Sequence, residues 1–153
     1  MVAVHIGLGS NVGQKKKNIS NALRLISENG FFKIVKKSSF YITQPVGPRQ
    51  PDFVNAAIKA ETGLGPFEAL SILKQIERTL GRRKTKRWGP RMIDLDILFY
   101  GDRIIKSAKL TIPHKEIQNR SFVLDPLCEI SPRLIHPVIG QTLLKLKEKL
   151  STK

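Results

Sequence analysis

Asp94 and Asp96 stand two residues apart in Ile93-Asp94-Leu95-Asp96-Ile97-Leu98, directly after the basic segment Arg87-Trp88-Gly89-Pro90-Arg91. Carboxylates that close repel each other unless a cation sits between them, and a pair of hard oxygen ligands with room for water and phosphate suits Mg²⁺. Arginines beside the pair complement the anionic groups of a metal-bound polyphosphate. The chemistry on offer is metal-assisted work on a phosphorylated ligand. For both acids to act together the segment must be a strand. Alternation over Ile93 to Tyr100 sends Ile93, Leu95 and Ile97 toward a core and Asp94 and Asp96 to the other face. Their Cα atoms are then roughly 6.5 Å apart. The same pattern also describes a half-exposed edge strand with no ligand, so spacing alone leaves both readings open.

The residues before the pair favour a site. Arg82 to Arg91 hold six basic side chains and no acid, with Trp88 in their midst. A solvated basic loop gains little from a tryptophan, whereas a purine or another flat ligand gains a stacking surface. Gly89-Pro90 restricts the turn before Arg91 and so aims its guanidinium relative to the acids. A second polar group follows in Lys109-Leu110-Thr111-Ile112-Pro113-His114-Lys115 and Asn119-Arg120-Ser121-Phe122. His114 is either a structural hydrogen bonder or, with Arg120, a charge-assisted donor to phosphate. Phe53 and Asn55 share a strand face, an apolar plate beside an amide that both donates and accepts. That suits a flat heterocycle and equally suits a core Phe with a strand-end Asn. His5 and His136 read as packing or surface residues.

Familiar nucleotide loops are absent. Gly7-Leu8-Gly9-Ser10-Asn11-Val12-Gly13 misses the G-x-G-x-x-G spacing by one residue, and G-x-x-x-x-G-K-[ST] occurs nowhere. The segment reads as a tight turn in which Ser10 or Asn11 caps the following helix, with a phosphate near that helix N-terminus as the alternative.

The elements that must position these residues follow from periodicity. Val2 to Leu8 predicts a strand. Ile19, Leu23 and Ile26, widened by Ala22 and Leu25, predict a helix that stops at Asn29-Gly30. Ile34 to Thr43 and Phe53 to Thr62 predict two more strands, separated by the Pro- and Gly-rich loop Gln44 to Asp52. Gly65-Pro66 opens a second helix, with Phe67, Leu70, Leu73, Ile76 and Leu80 as its apolar stripe and Gly81 as its stop. The Asp94 strand is the fourth. The order strand, helix, strand, strand, helix, strand is that of a ferredoxin-like βαββαβ sandwich of the α+β class. C-terminal additions include a helix from Gln141 to Leu150 with Leu143, Leu144, Leu146 and Leu150 on its stripe.

Composition bounds the partners. At 153 residues and 41% hydrophobic, the chain suits one domain over 1–153 with a true core and argues against disorder. The 27 basic residues against 12 acids, net +15, predict attraction to anions without choosing among nucleotide, nucleic acid and acidic membrane. No apolar run reaches the roughly 18 residues of a membrane span and no signal-peptide arrangement opens the chain, so a cytoplasmic protein with no membrane partner is expected. Cys128 is the single cysteine. It excludes an internal disulfide and reads as a small buried hydrophobe.

Taken together, these segments resemble the 6-hydroxymethyl-7,8-dihydropterin pyrophosphokinase family of folate biosynthesis. The resemblance runs through Gly7-Leu8-Gly9-Ser10-Asn11, Ser39-Phe40-Tyr41-Ile42-Thr43 with Pro45 and Gly47-Pro48, and Gln50-Pro51-Asp52-Phe53-Val54-Asn55-Ala56. It continues through Leu80-Gly81-Arg82, the R-W-G-P-R-x-x-D-L-D-I-L signature, Ile112-Pro113-His114, and Phe122-Val123-Leu124 before Pro126-Leu127. It implies a ferredoxin-like core and an enzyme in which ATP donates its β,γ-diphosphate to the pterin hydroxymethyl oxygen, releasing AMP. It implies that Asp94 and Asp96 hold two Mg²⁺ ions and that Arg82 and Arg91 stabilise the transferring group. Phe53 and Phe122 would be the plates around the pterin, with Asn55 and the backbone from Thr43 to Val46 reading its edge. Arg83, Arg87, Trp88, Lys109, Thr111, His114 and Arg120 would meet the nucleotide and its phosphates, and Glu77 matches a characteristic acid on the second helix. Lys74, Lys109 and Lys115 depart from the Gln, Arg and Tyr of some members, and Phe53 lacks a Tyr hydroxyl found in others. The basic loop after Gly81 is one residue shorter. ATP and the pterin are the expected partners, with no nucleic acid, and a monomer is expected.

Two other classes fit parts of the pattern. A ferredoxin-like RNA-binding module fits the charge but lacks an RNP1-type run. A metal-dependent nuclease fits the acid pair alone.

Overall fold

The structure, a computed structural model, describes residues 1–44, 51–81 and 92–152. Seven strands and four α-helices are formed among them: β1 (Val2–Ser10), α1 (Lys15–Glu28), β2 (Phe32–Lys37), β3 (Tyr41–Thr43), β4 (Phe53–Thr62), α2 (Pro66–Thr79), β5 (Asp94–Tyr100), β6 (Ile105–Lys106), β7 (Thr111–Ile112), α3 (Ser121–Ile130) and α4 (Leu143–Ser151). The main sheet has the order β2-β4-β1-β5, with β3 paired to the other end of β4, and every pairing is antiparallel. Each βαβ unit skips one strand: β1 and β2 flank β4, and β4 and β5 flank β1. That is the split arrangement predicted from the element order.

Alternation divides the sheet residues between two cores. Val4, Ile6 and Leu8 of β1, Val54, Ile58 and Ala60 of β4, and Leu95 and Ile97 of β5 pack against Ile19, Ala22 and Ile26 of α1 and Ala69, Leu73 and Ile76 of α2. On the opposite face Ala57, Leu98 and Phe99 pack against Leu124 and Leu127 of α3 and Leu143 and Leu146 of α4. Leu98 and Phe99 both reach this second core because β1 and β5 slip register between His5 and Ile6, so that His5 pairs with Phe99 and Ile6 with Ile97. Cys128 lies in the same core, as expected.

Several expectations need correction. The strand expected over Ile34 to Thr43 is two strands, because at Ser38 the side chain competes for the ladder. Ser38 N–H donates to Ala57 O, and its Oγ accepts the Ala57 N–H, each at 2.9 Å. β1 runs on through Gly9 and Ser10 instead of turning at Gly9. Neither Ser10 nor Asn11 caps α1: Gln14 is the N-cap without a side-chain bond. Asn18 reaches back to Ser10 Oγ at 3.2 Å and Val12 O at 2.9 Å. On α2, Phe67 is exposed and Ala69 takes its place in the core; on α4, Leu144 is exposed. α3 had no counterpart among the predicted elements. Pro126 is buried inside it.

Helix ends follow local chemistry. Pro66 occupies the first turn of α2, where its missing N–H is not needed. The Gly65 N–H donates to Glu68 Oε1 at 3.0 Å. Gly81 ends the helix with a positive φ of 91°, a conformation that favours glycine. No helix among the described residues is long and apolar enough to cross a membrane.

Candidate active site

The face of the sheet away from α1 and α2 carries the predicted residues. Asn55 lies opposite Gly9, and Gly9 opposite Asp94; Ala57 lies opposite Gly7, and Gly7 opposite Asp96. The two acids therefore project beside a glycine strand, and Asn55 stands two strands away, about 10 Å. The glycines keep that intervening strip open. A Cβ on Gly9 would stand 3.0 Å from Asn55 Oδ1, and one on Gly7 would stand 3.3 Å from Leu98 Cδ1. Ile93, Leu95 and Ile97 are buried on the other face while Asp94 and Asp96 are half-exposed, as alternation predicted.

At the far edge, Thr43 lies opposite Phe53. Asn55 Nδ2 donates to Thr43 Oγ1 at 2.7 Å, which orients the amide from the side. α3 covers the same face next to Ala57, and Phe122 lies in its first turn. The Arg120 guanidinium sits 5.7 Å from the Phe122 ring centroid, within cation–π range.

His114 joins this group through β5. Its N–H donates to Leu98 O at 3.0 Å, so the segment after β7 lies against the strand that bears both acids. Burial, and then the Arg120 guanidinium, hold the His114 imidazole below its usual pKa against the opposing pull of Asp94. The shift favours the neutral imidazole, whose N–H can still donate a charge-assisted bond to an anionic phosphate oxygen. The Glu116 N–H approaches Nδ1 at 3.4 Å, which suits a proton on Nε2. Thr111 pairs with Lys106 across the β6–β7 hairpin, and Lys109 is exposed at its tip.

Glu77 is the buried acid of α2, 1% exposed. Its Oε2 accepts the Leu95 N–H at 2.7 Å, satisfying an edge-strand donor that lies between the two aspartates. Lys74 approaches its Oε1 at 3.2 Å, so this lysine is engaged on the helix. The i,i+3 spacing of Lys74 and Glu77 on a predicted helix allowed for their ion pair, whereas the Leu95 contact has no local sign in the sequence.

Arg82, Arg83, Arg87, Trp88, Arg91 and Val46, all assigned to the site from the sequence, lie outside the described residues. Among the described residues no group of three or more His, Cys, Asp or Glu side chains is arranged to hold a metal. A two-carboxylate set fits a cation whose remaining ligands are phosphate and water, which is how Mg²⁺ is commonly held at phosphoryl-transfer sites.

Residues 5–132 match the family described as 7,8-dihydro-6-hydroxymethylpterin-pyrophosphokinase. A 2-amino-4-hydroxy-6-hydroxymethyldihydropteridine pyrophosphokinase of Haemophilus influenzae is 46% identical over 138 residues, spanning 90% of this chain and 86% of that protein. The enzyme of the same name from Synechocystis sp. is 40% identical over 145 residues, spanning 95% of this chain and 74% of its own length. Among solved structures, the chain described as wild-type Plasmodium falciparum HPPK-DHPS with pteroate superposes with a TM-score of 0.81 at 17% identity, covering 99% of this chain. This chain spans 42% of that longer one, and at such low identity the likeness concerns the fold alone.

Proposed function

The chain belongs to the 7,8-dihydro-6-hydroxymethylpterin-pyrophosphokinase family, ATP-dependent diphosphotransferases of folate synthesis, and from that premise we propose how its own residues perform the transfer. The hydroxymethyl oxygen of the pterin attacks the β-phosphorus of ATP. The bond from that phosphorus to the α,β-bridging oxygen breaks, AMP leaves, and the alcohol proton passes to solvent. One observation carries the reading: Asp94 and Asp96 share a sheet face that Gly7 and Gly9 keep open toward Asn55 and Thr43.

Asn55, held by Thr43, reads the polar edge of the heterocycle, while Phe53 and Phe122 offer apolar faces to its ring. Asp94 and Asp96 would hold two Mg²⁺ ions, which would supply charge neutralisation on the diphosphate and polarise the attacking alcohol. Glu77 braces the strand beneath them through the Leu95 N–H. Neutral His114 and cationic Arg120 face the phosphate side, where each can donate to anionic oxygens. Arg82 and Arg91 take the role of stabilising charge on the group in flight, and Arg83, Arg87, Trp88, Lys109 and Thr111 that of nucleotide contacts. The whole of 1–153 acts as one domain, a cytoplasmic monomer without a nucleic-acid partner.

Replacing either carboxylate tests this. Asp94→Asn and Asp96→Asn are each expected to lower kcat by at least about a thousandfold, the scale of losing a metal-borne electrostatic term. Each variant is expected to remain folded, since neither half-exposed carboxylate lies in the apolar core. A variant that keeps near-wild-type kcat would remove the pair from the mechanism.

A further inference from the structure

We propose that Glu129 is a positioning residue for the heterocycle site, its carboxylate tying the helix that carries Phe122 to the strand that carries Thr43. The proposal rests on the pterin reading above and deepens it. Glu129 stands on the last turn of α3, seven residues beyond Phe122 and so about 10 Å along the helix. Its two oxygens accept four hydrogen bonds from the connection between β2 and β3 and from β3 itself. The Ser39 N–H reaches Oε1 and Oε2 at 3.0 Å each, the Ser39 hydroxyl donates to Oε2 at 3.0 Å, and the Tyr41 hydroxyl donates to Oε1 at 2.7 Å.

A glutamate on a helix surface is ordinarily satisfied by water and keeps its rotamer freedom. Here it is gripped by one backbone N–H and two hydroxyls from 88 to 90 residues earlier in the chain. The grip marks both partners. The Tyr41 bond first, and the Ser39 bonds after it, hold the Glu129 carboxyl below its usual range. The Tyr41 phenol is pushed up to about 12 by burial and by Glu129. The pair keeps its carboxylate and its phenolic proton across the neutral range.

The same connection is fixed on its other side to the sheet. Ser38 exchanges two bonds with Ala57 of β4, and Tyr41 lies opposite Asn55. Thr43, two residues on, orients the Asn55 amide. Glu129 thus sets the position of the Phe122 helix relative to the Thr43, Phe53 and Asn55 wall. Asp94 and Asp96 lie on β5, whose support comes from β1 and Glu77. Arg120 caps the same helix, so loosening Glu129 acts first on pterin recognition and only weakly on the ATP side, whose acids Asp94 and Asp96 stand on β5.

The test is a steady-state comparison of wild type, Glu129→Ala, Glu129→Gln, Tyr41→Phe and the Glu129→Ala/Tyr41→Phe double variant, varying 6-hydroxymethyl-7,8-dihydropterin and Mg-ATP separately. Glu129→Ala is expected to raise the pterin KM about tenfold, with the ATP KM within about twofold of wild type. Glu129→Gln, which retains a carbonyl acceptor, recovers part of the loss. The double variant is no worse than Glu129→Ala alone, because both remove the same tie. Should Glu129→Ala fail to fold, Tyr41→Phe, which deletes one hydroxyl, must still raise the pterin KM about threefold and spare ATP. An unchanged pterin KM, or an equal rise in both KM values, overturns the proposal while wild-type turnover leaves the site reading standing. Wild-type protein that leaves the pterin unreacted overturns the site reading and this proposal with it.

Discussion

A methyl group on Gly9 would stand 3.0 Å from Asn55 Oδ1 and 3.8 Å from Phe53 Cδ1, closer to the amide than ordinary packing allows. Since Asn55 is held by a 2.7 Å bond to Thr43, the amide cannot retreat without giving up that partner. Gly9→Ala is therefore expected to raise the pterin KM about tenfold while costing about 1 kcal/mol or less in stability. Steady-state kinetics beside a urea titration would check this, and an unchanged pterin KM would show that the strip beside Asn55 is not used. From the sequence, Gly9 read as a turn residue, since nothing local reveals that two neighbouring strands crowd toward it. Asp94 and Asp96 were legible because their shared face follows from a period of two. Glu129 was not, because its partners lie 88 to 90 residues away and an exposed glutamate on a helix has no sequence signature of being held.

At the level of elements, α1, α2, β1, β4 and β5 were readable from apolar spacing and from Pro and Gly at their ends. β2 and β3 were fused in the reading because Ser38 interrupts the ladder through its side chain, an effect that propensity does not register. α3 had no predicted counterpart, although Leu124, Leu127 and Cys128 keep helical spacing: ten residues with a proline in their midst make a short, weak pattern. The docking of that helix on the sheet carries a pH dependence. His5 of β1 is 3% exposed, pairs with Ser131 Oγ at 2.8 Å, and stacks edge-on with Phe99 at 5.9 Å. Burial first, then Lys59, lowers its pKa from 6.5 to about 4. The unfolded chain thus binds a proton that the folded one refuses between those values, so stability is full above about 6.5 and falls as pH drops toward 4. The shift corresponds to about 3 kcal/mol. Urea unfolding at pH 7 and pH 4 should show wild type losing about that much more than His5→Gln, which lacks the titrating ring. Equal losses in the two proteins would mean that His5 is not the acid-sensitive group.

At the scale of the molecule, two cores on opposite faces of one sheet leave, among the described residues, a strip from Thr43 through Gly9 to Asp96 where polar groups meet. The fold class and strand order were legible because the order of elements admits few ways of pairing antiparallel strands with short connections. The reaction was legible only through the resemblance of whole segments to the pyrophosphokinase family, which the family match bears out, and not from charge or spacing. A net charge of +15 attracts any anion, and an acid pair serves nucleases as well as kinases; the family match narrows that choice. This surface is proposed to pass a diphosphate from ATP to a pterin alcohol. The decisive measurement incubates purified protein with Mg-ATP and 6-hydroxymethyl-7,8-dihydropterin and resolves the nucleotide products by chromatography. AMP and pterin diphosphate are expected in equal amounts, with nucleotide turnover only when the pterin is present; ADP as the product, or AMP formed equally without the pterin, would rule out diphosphate transfer.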